Sequence, residues 1–319
     1  MIMGKVSICV PTYNRPHLIS QLLDSILAQS YQNFEIIITD NSDNYETQFL
    51  IENKYKDPRI VYRKNEKNLG MDGNTLRALS YVSGEFFTFT PDDDVWIDHK
   101  KLESQINLLL EFPRIQVCFS NVLHINYDGS KHETQFKLKQ IISSPCEVIG
   151  STSLLLTNND RYFINILTAV MRVELLDVFR ESWKFGSEEY FMWYIGGTGQ
   201  NIGFCYAQTV AHRDGEHNWD IADGKGNLVN YRNNSVSRAK QIANIYTALI
   251  NKYNNELKYF NNKTEKVIFK ILINLIGKNA FQYKSSLPKI SIFYCYLQYI
   301  YSLLIRNIKS CLKLVAEKS

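Results

Sequence analysis

The 319-residue chain lacks both common phosphate loops. No Gly-x-Gly-x-x-Gly follows its first apolar run, and no Gly-x-x-x-x-Gly-Lys-Ser/Thr occurs anywhere. Neither usual nucleotide cradle is therefore present, and a bound diphosphate needs another source of positive charge. The six cysteines (Cys9, Cys118, Cys146, Cys205, Cys295, Cys311) form no Cys-x-x-Cys pair and show no metal-ligand spacing. Cys9 and Cys118 lie inside apolar, strand-like runs, which predicts reduced, buried thiols in a cytosolic protein. The opening MIMGKVSICVP has no basic segment followed by an apolar stretch of signal-peptide length, so secretion is not expected. The sixteen-residue uncharged run Ile290–Ile305 falls short of the ~20 residues that span a bilayer.

What is present is globular in composition. The hydrophobic share of 45% and charged share of 21% can bury a core, and the length allows one large domain or two smaller ones. The net charge of +4 is uneven. Residues 264–319 carry nine Lys and Arg against two Glu, which leaves residues 1–263 at −3. A basic tail on an acidic body points to an anionic partner surface rather than to nucleic acid. Lys266–Gly277 is apolar on most sides, and Ile290–Ile305 is flanked by Lys289 and Arg306. Such helices fit peripheral contact with an anionic leaflet, with intramolecular packing as the alternative.

From the N-terminus, strands and helices alternate. VSICV (6–10) is a short strand broken by Pro11 to Pro16, and Pro16 suits the first turn of a helix. Leu18, Leu22 and Ile26 form one buried row, and Ile19, Leu23 and Leu27 the next. FEIIIT (34–39) is a second strand, followed by a helix over 45–57, a strand over 60–63 and a helix over 75–82. The run 85–90 is a fourth strand, ended by Pro91 and three adjacent carboxylates, Asp92, Asp93 and Asp94. This rhythm predicts a parallel sheet with helices on both faces. The polar clusters 11–15, 40–43 and 92–94 then open on one sheet edge and converge on one ligand. Three neighbouring carboxylates suit a cation such as Mg²⁺ or Mn²⁺. The competing reading is an acidic turn that caps the next helix. That helix, over 98–112, is amphipathic with Asp98 as its cap and Leu102, Ile106, Leu109 and Leu110 inward.

VSICVPTYNRP, IIITDNSD, NLGMDGN and GEFFTFTPDDDVW, in that order and spacing, resemble the nucleotide-sugar-binding half of the family 2 glycosyltransferases. The resemblance is clear over about 4–122 and thins through about 220. It implies an α/β fold of the GT-A type, a Rossmann-like, mostly parallel sheet flanked by helices, with a C-terminal helical region. Residues 1–122 would form the nucleotide-sugar half, 123–235 the acceptor half of the same domain, and 236–319 the helical, membrane-associating region. By the same resemblance Pro11, Thr12, Tyr13 and Asn14, with Arg15, line the base and ribose pocket. Asp40 accepts from the pyrimidine edge, and Asn68, Gly70 and Asn74 close over the nucleotide. Asp92, Asp93 and Asp94 form the DxD-type motif that holds Mn²⁺ or Mg²⁺ on the diphosphate. Many members read Leu-Asp-x-Asp-Asp where this chain has Thr90-Pro91-Asp92-Asp93-Asp94. Asp94 is therefore a ligand in either register, paired with Asp92 or with Asp93.

In the acceptor half, a hairpin turns at Asp128-Gly129, with His124 and His132 as ordinary surface residues on its arms. A strand at 169–172 leads into a short helix at 173–179. Glu188 and Glu189 then open an apolar helix, where acids favour the N-terminus. They also resemble the family's Glu-Asp pair, whose second acid is the catalytic base, which points to Glu189, with Glu188 as the alternative. Tyr190, Trp193 and Trp183 offer a stacking surface for an acceptor sugar or, more ordinarily, core packing. After a strand over 202–210, His212 to Trp219 reads as a polar loop. His217, then Arg213, is the candidate to face the metal or diphosphate.

The resemblance to family 2 implies a metal-dependent, inverting hexosyltransferase-like enzyme. It would move a sugar from a nucleoside-diphosphate donor to a hydroxyl of a glycan or lipid-linked oligosaccharide, in bacterial surface polysaccharide synthesis at the inner face of the cell membrane. An aspartyl-phosphate phosphatase also places Asp after a strand, but its motif opens the fold and does not end in Trp96. A sugar-nucleotide-binding protein without a working base is the other rival.

Overall fold

The first four apolar runs become the parallel half of one sheet in the computed structural model, which describes residues 4–130, 144–150, 165–186, 188–214, 221–222, 228–229, 235–253 and 257. Strands β1 (Val6–Thr12), β2 (Phe34–Asp40), β3 (Ile60–Lys64) and β4 (Phe86–Phe89) pair in parallel in the order β3-β2-β1-β4. β1 and β2 are apolar nearly throughout because both faces of a parallel sheet are covered. Helix α1 (Pro16–Leu27) covers part of it, starting at Pro16 and burying Leu18, Ile19, Leu22, Leu23 and Ile26. Each such side chain contributes about 1.5–3 kcal/mol on burial.

The parallel order expected from the strand–helix rhythm of the first hundred residues is this half of the sheet, and the rest is mixed. β8 (Val170–Arg172) is antiparallel to both β4 and β6 (Val117–Asn126), while β9 (Asn201–Asp214) runs parallel to β6. The short β5 (Val95–Trp96) and β7 (Cys146–Gly150) add antiparallel to β9, completing nine strands among the described residues. Thus the segment just after the Asp triplet pairs with β9: Val95 lies opposite Ala211 and Trp96 opposite Val210.

Several boundaries move for local reasons. Helix α2 spans Glu46–Lys54, and helix α3 begins at Gly70 and ends at Leu79 rather than spanning 75–82. Asn68 Oδ1 accepts from the Gly70 amide at 2.8 Å, and Gly70 adopts φ +70°, so the turn is tight enough to start the helix at once. Helix α4 is Lys101–Glu111, and Asp98 does not cap it through its side chain. Its carboxylate instead accepts from the Lys100 amide at 2.9 Å. Leu102, Ile106 and Leu109 are buried as expected, but so are Lys101 and Gln105 on the same helix.

The cysteines divide. Cys9 and Cys118 are free and buried, whereas Cys146 and Cys205, expected to be reduced thiols, face each other across the β7–β9 pair in a disulfide. Their separation of 59 residues carries no spacing signal, and only strand pairing brings them together. Cys295, Cys311 and the apolar C-terminal runs lie outside the described residues.

The chain divides into two units. The first holds the described residues up to Gly150, then 165–191 and 200–214. It contains helix α5 (Leu176–Lys184) and the start of α6 (Glu188–Thr198). There Phe179 packs edge-on against Phe87 at 5.6 Å and Phe191 at 5.3 Å, and Trp183 lies 4.8 Å from Phe89. Tyr190 stacks on Phe185 at 4.8 Å, so Trp183 and Tyr190 pack within the protein. The second unit holds 192–199 and the described residues from 221 onward. It includes the ribbon β10 (Ile221–Ala222) and β11 (Leu228–Val229) and helix α7 (Ser235–Tyr253), where Tyr253 meets Tyr194 edge-on at 4.9 Å. No helix among the described residues is long and apolar enough to cross a membrane.

Candidate active site

The parallel registers put the C-terminal ends of β1, β2 and β4 on one sheet edge. Thr12, the last residue of β1, lies opposite Asp40, the last of β2. All three expected clusters meet there. Thr12 Oγ1 donates to Asp92 Oδ2 at 2.7 Å, and the Tyr13 amide donates to the same oxygen at 3.4 Å. Arg15 Nη1 reaches Asp92 Oδ1 at 3.2 Å and Asp93 Oδ2 at 2.9 Å. Tyr13 OH donates to Asp43 Oδ2 at 2.8 Å, and the Asn14 amide donates to Ser42 Oγ at 2.8 Å. Asn14 takes φ +53°, a left-handed conformation that asparagine accepts more readily than most residues. Pro11 sits within β1 beside them.

Asp40 is fully buried, with Oδ1 accepting from the Ser42 amide at 2.7 Å and Oδ2 from Tyr62 OH at 2.6 Å. Asn74 holds the strand ends together: its Nδ2 donates to Thr12 O at 3.1 Å and Thr39 O at 3.0 Å, and its Oδ1 accepts from Asn65. Gly70 O accepts from Asn41 Nδ2 at 2.9 Å. Asn68, Gly70 and Asn74 thus fasten α3 to the rim.

The three aspartates differ sharply. Asp92 is buried with both oxygens engaged, and burial, then the charge on Asp93, pushes its carboxyl up to about 6 despite Arg15. Asp93 is partly exposed beside Arg15. Asp94 is fully buried; its Oδ1 faces His212 Nδ1 at 2.9 Å and accepts from the Arg213 amide at 3.3 Å. Its Oδ2 is buried without any hydrogen-bond partner. Burial raises the Asp94 pKa, with His212 opposing. A buried carboxylate oxygen left unpaired calls for a missing donor or cation.

His217, the expected candidate to face the metal or diphosphate, lies outside the described residues, and the histidine found at Asp94 is His212. The strand expected to stop at 210 continues as β9 to Asp214, pairing with β6 through Asn126. His212 and Arg213 are therefore strand residues, not loop residues. His124, expected at the surface, is half-buried opposite His212, with the two rings 5.7 Å apart and nearly perpendicular. Arg213 spends its donors on Asp93 O at 3.2 Å, Tyr127 O at 2.7 Å and Gln21 Oε1 at 3.3 Å. That buried clamp ties β9 to the aspartate loop. His132 and the side chains of Glu188 and Glu189 lie outside what is described, while the backbone places both acids at the start of α6.

The residues that build this sheet edge up to Asp94 lie within 7–176, the stretch that matches the family model for glycosyl transferase family 2. The chain belongs to this family.

Among relatives, the chain is 38% identical over 121 residues to the Escherichia coli UDP-Glc:alpha-D-GlcNAc-diphosphoundecaprenol beta-1,3-glucosyltransferase WfgD, covering 38% of this chain and 47% of that protein. It is 30% identical over 192 residues to the enzyme of the same description WfaP, also from Escherichia coli, covering 60% of this chain and 69% of WfaP. The chain thus spans about half the length of the first and about two thirds of the second. Among solved structures, Staphylococcus aureus TarS 1-349 in complex with UDP-GlcNAc superposes with a TM-score of 0.61 at 17% identity, covering 89% of this chain and 82% of TarS. That likeness establishes the fold, which is GT-A.

Proposed function

We propose that this family 2 member transfers a sugar from a nucleoside diphosphate to a hydroxyl of a lipid-linked glycan, with inversion, in bacterial surface polysaccharide synthesis. The observation that carries the reading is the meeting of the β1, β2 and β4 ends around Asp94, whose Oδ2 is buried and unpaired. Two relatives are named for acting on a diphosphoundecaprenol-linked sugar with UDP-Glc, which supports the donor and acceptor classes.

Among the described residues no three side chains form a metal cage. A Mg²⁺-type ion held by one or two carboxylates and substrate phosphates needs none. The unpaired Asp94 Oδ2 and the hard-oxygen donor set fit Mn²⁺ or Mg²⁺. Asp94 would hold it with Asp93, because both oxygens of Asp92 are already bonded. When bound, the ion supplies Lewis-acid neutralisation of the departing diphosphate. His212 holds the Asp94 carboxylate in orientation.

The chain's own residues do the rest. Tyr13 and Asn14 bind the base and ribose side of the donor, and Asp40, whose oxygens are taken by the Ser42 amide and Tyr62, shapes that pocket from behind. Arg15, now on Asp92 and Asp93, places a positive charge beside the diphosphate. Glu189, with Glu188 next to it, takes the proton of the acceptor hydroxyl as the new bond forms, about 3 Å from it. One displacement suffices, so no nucleophilic Cys or Ser is needed. The basic, apolar residues 264–319 lie against the anionic inner leaflet, which keeps the enzyme peripheral and cytoplasmic near its lipid-linked acceptor.

The test is donor hydrolysis across UDP-, dTDP- and GDP-sugars with Mn²⁺ or Mg²⁺, in wild type and Glu189→Gln. One donor class should turn over, and the variant should lose about 10²–10⁴-fold in rate while still binding the donor. Donor binding without turnover in wild type would instead favour a sugar-nucleotide-binding protein.

A further inference from the structure

Asp72 is a carboxylate that the proposed chemistry leaves unused. It lies in the first turn of α3, half-buried, with Oδ1 fully enclosed and without a hydrogen-bond partner. Burial alone raises its pKa. An acid that merely complements a helix N-terminus does so from solvent and gains nothing by enclosing an oxygen.

Its surroundings say what the oxygen awaits. Two residues on, Asn74 donates to Thr12 O and Thr39 O, so this end of α3 is pinned to the exits of β1 and β2. On the other side, a methyl group built on Gly186 would meet Asp72 Oδ2 at 3.9 Å. Gly186 stands two residues before Glu188, where α6 begins. The carboxylate therefore sits between the nucleotide-binding turns and the approach to the acid pair. A donor sugar must lie between its diphosphate and the base that serves its acceptor.

We infer that Asp72 accepts hydrogen bonds from hydroxyls of the donor sugar and so helps select which sugar is transferred. The inference rests on the transferase reading above. A sugar lacking the matching hydroxyl leaves a buried carboxylate unpaired, and sites built this way reject such analogues strongly.

The experiment titrates wild type, Asp72→Asn and Asp72→Ala by calorimetry in Mn²⁺. The probes are UDP, dTDP and GDP, alone and as their glucose, galactose and N-acetylglucosamine conjugates. In both variants the affinity for the preferred diphosphate should stay within about twofold of wild type. Affinity for the preferred sugar conjugate should fall about tenfold or more, with discrimination among sugars narrowing. Unchanged sugar affinity and preference in Asp72→Asn overturns the inference. So does a parallel loss for diphosphate and conjugate, which marks a structural role. Wild type that binds none of the probes brings down the transferase reading itself, and this inference with it.

Discussion

The rim formed by residues 11–15 and 40–43 and the wall that carries Asp72 and Asp94 treat polar atoms in opposite ways. At the rim, side chains answer one another: Thr12 and Arg15 hold Asp92, Tyr13 holds Asp43, and Tyr62 holds Asp40. At the wall, Asp72 Oδ1 and Asp94 Oδ2 are enclosed and unpaired. A satisfied network keeps its shape before any ligand arrives, which is what the proposed base and ribose pocket needs. Unpaired buried carboxylate oxygens store a desolvation cost that a ligand relieves on binding. The difference separates residues that shape the site from those completed by what enters it.

The largest break in this comparison comes from Asp94→Asn. It should lower transfer by about 10³-fold or more, with a melting temperature equal to or above wild type, because a buried charge with an unpaired oxygen is removed. His212→Ala should cost about 10–100-fold, by the usual weight of an orienting partner. Rates and thermal melts measured together check both, and a melting loss in Asp94→Asn as large as that of Asp92→Asn would erase the contrast.

A second test concerns a buried cation. Lys101 is fully buried, its Nζ donating to Gln105 Oε1 at 2.7 Å and Thr168 O at 2.9 Å, and burial pulls its pKa down to about 7 from 10.5. The folded value lies below the unfolded one, so between them the unfolded chain binds a proton that the folded chain does not. Stability should therefore rise with pH from about 7 toward 10.5, with the full penalty present below 7. The amplitude is a few kcal/mol at ~1.4 kcal/mol per tenfold change in proton affinity. Urea unfolding from pH 6 to 9 should show this slope in wild type and a flatter one in Lys101→Met; identical slopes would show that Lys101 carries no such cost.

The smallest effect sharpens the rim. Thr12→Val removes the hydroxyl that Asp92 accepts from and should destabilise by about 1–2 kcal/mol in urea melts. No loss would mean that Asp92 is held by Arg15 and the Tyr13 amide alone.

Much of this was readable along the chain. The alternation of apolar runs and helices announced the parallel half of the sheet, and the polar clusters after β1, β2 and β4 announced a shared edge. Those features are local in period, and parallel pairing makes the rest follow. The strand at 170–172 was readable but not its antiparallel direction, and β5 was not readable at all, because such short strands are set by pairing with distant segments, Phe86 with Arg172 and Val95 with Ala211. His212 was missed for the same reason: a polar stretch reads as loop until β6 is known to pair with it.

Sequence alone determined which residues are chemically equipped, namely three aspartates after a strand, an acid pair opening a helix and a Pro-Thr-Tyr-Asn-Arg turn. Only the tertiary structure decided their division of labour. It fastened Asp92 to β1, set Asp94 on His212 with one oxygen unpaired, and enclosed Asp72 and Lys101. The physical reason is that residue type sets what a group can bond, whereas burial and partners across the fold set what remains unbonded.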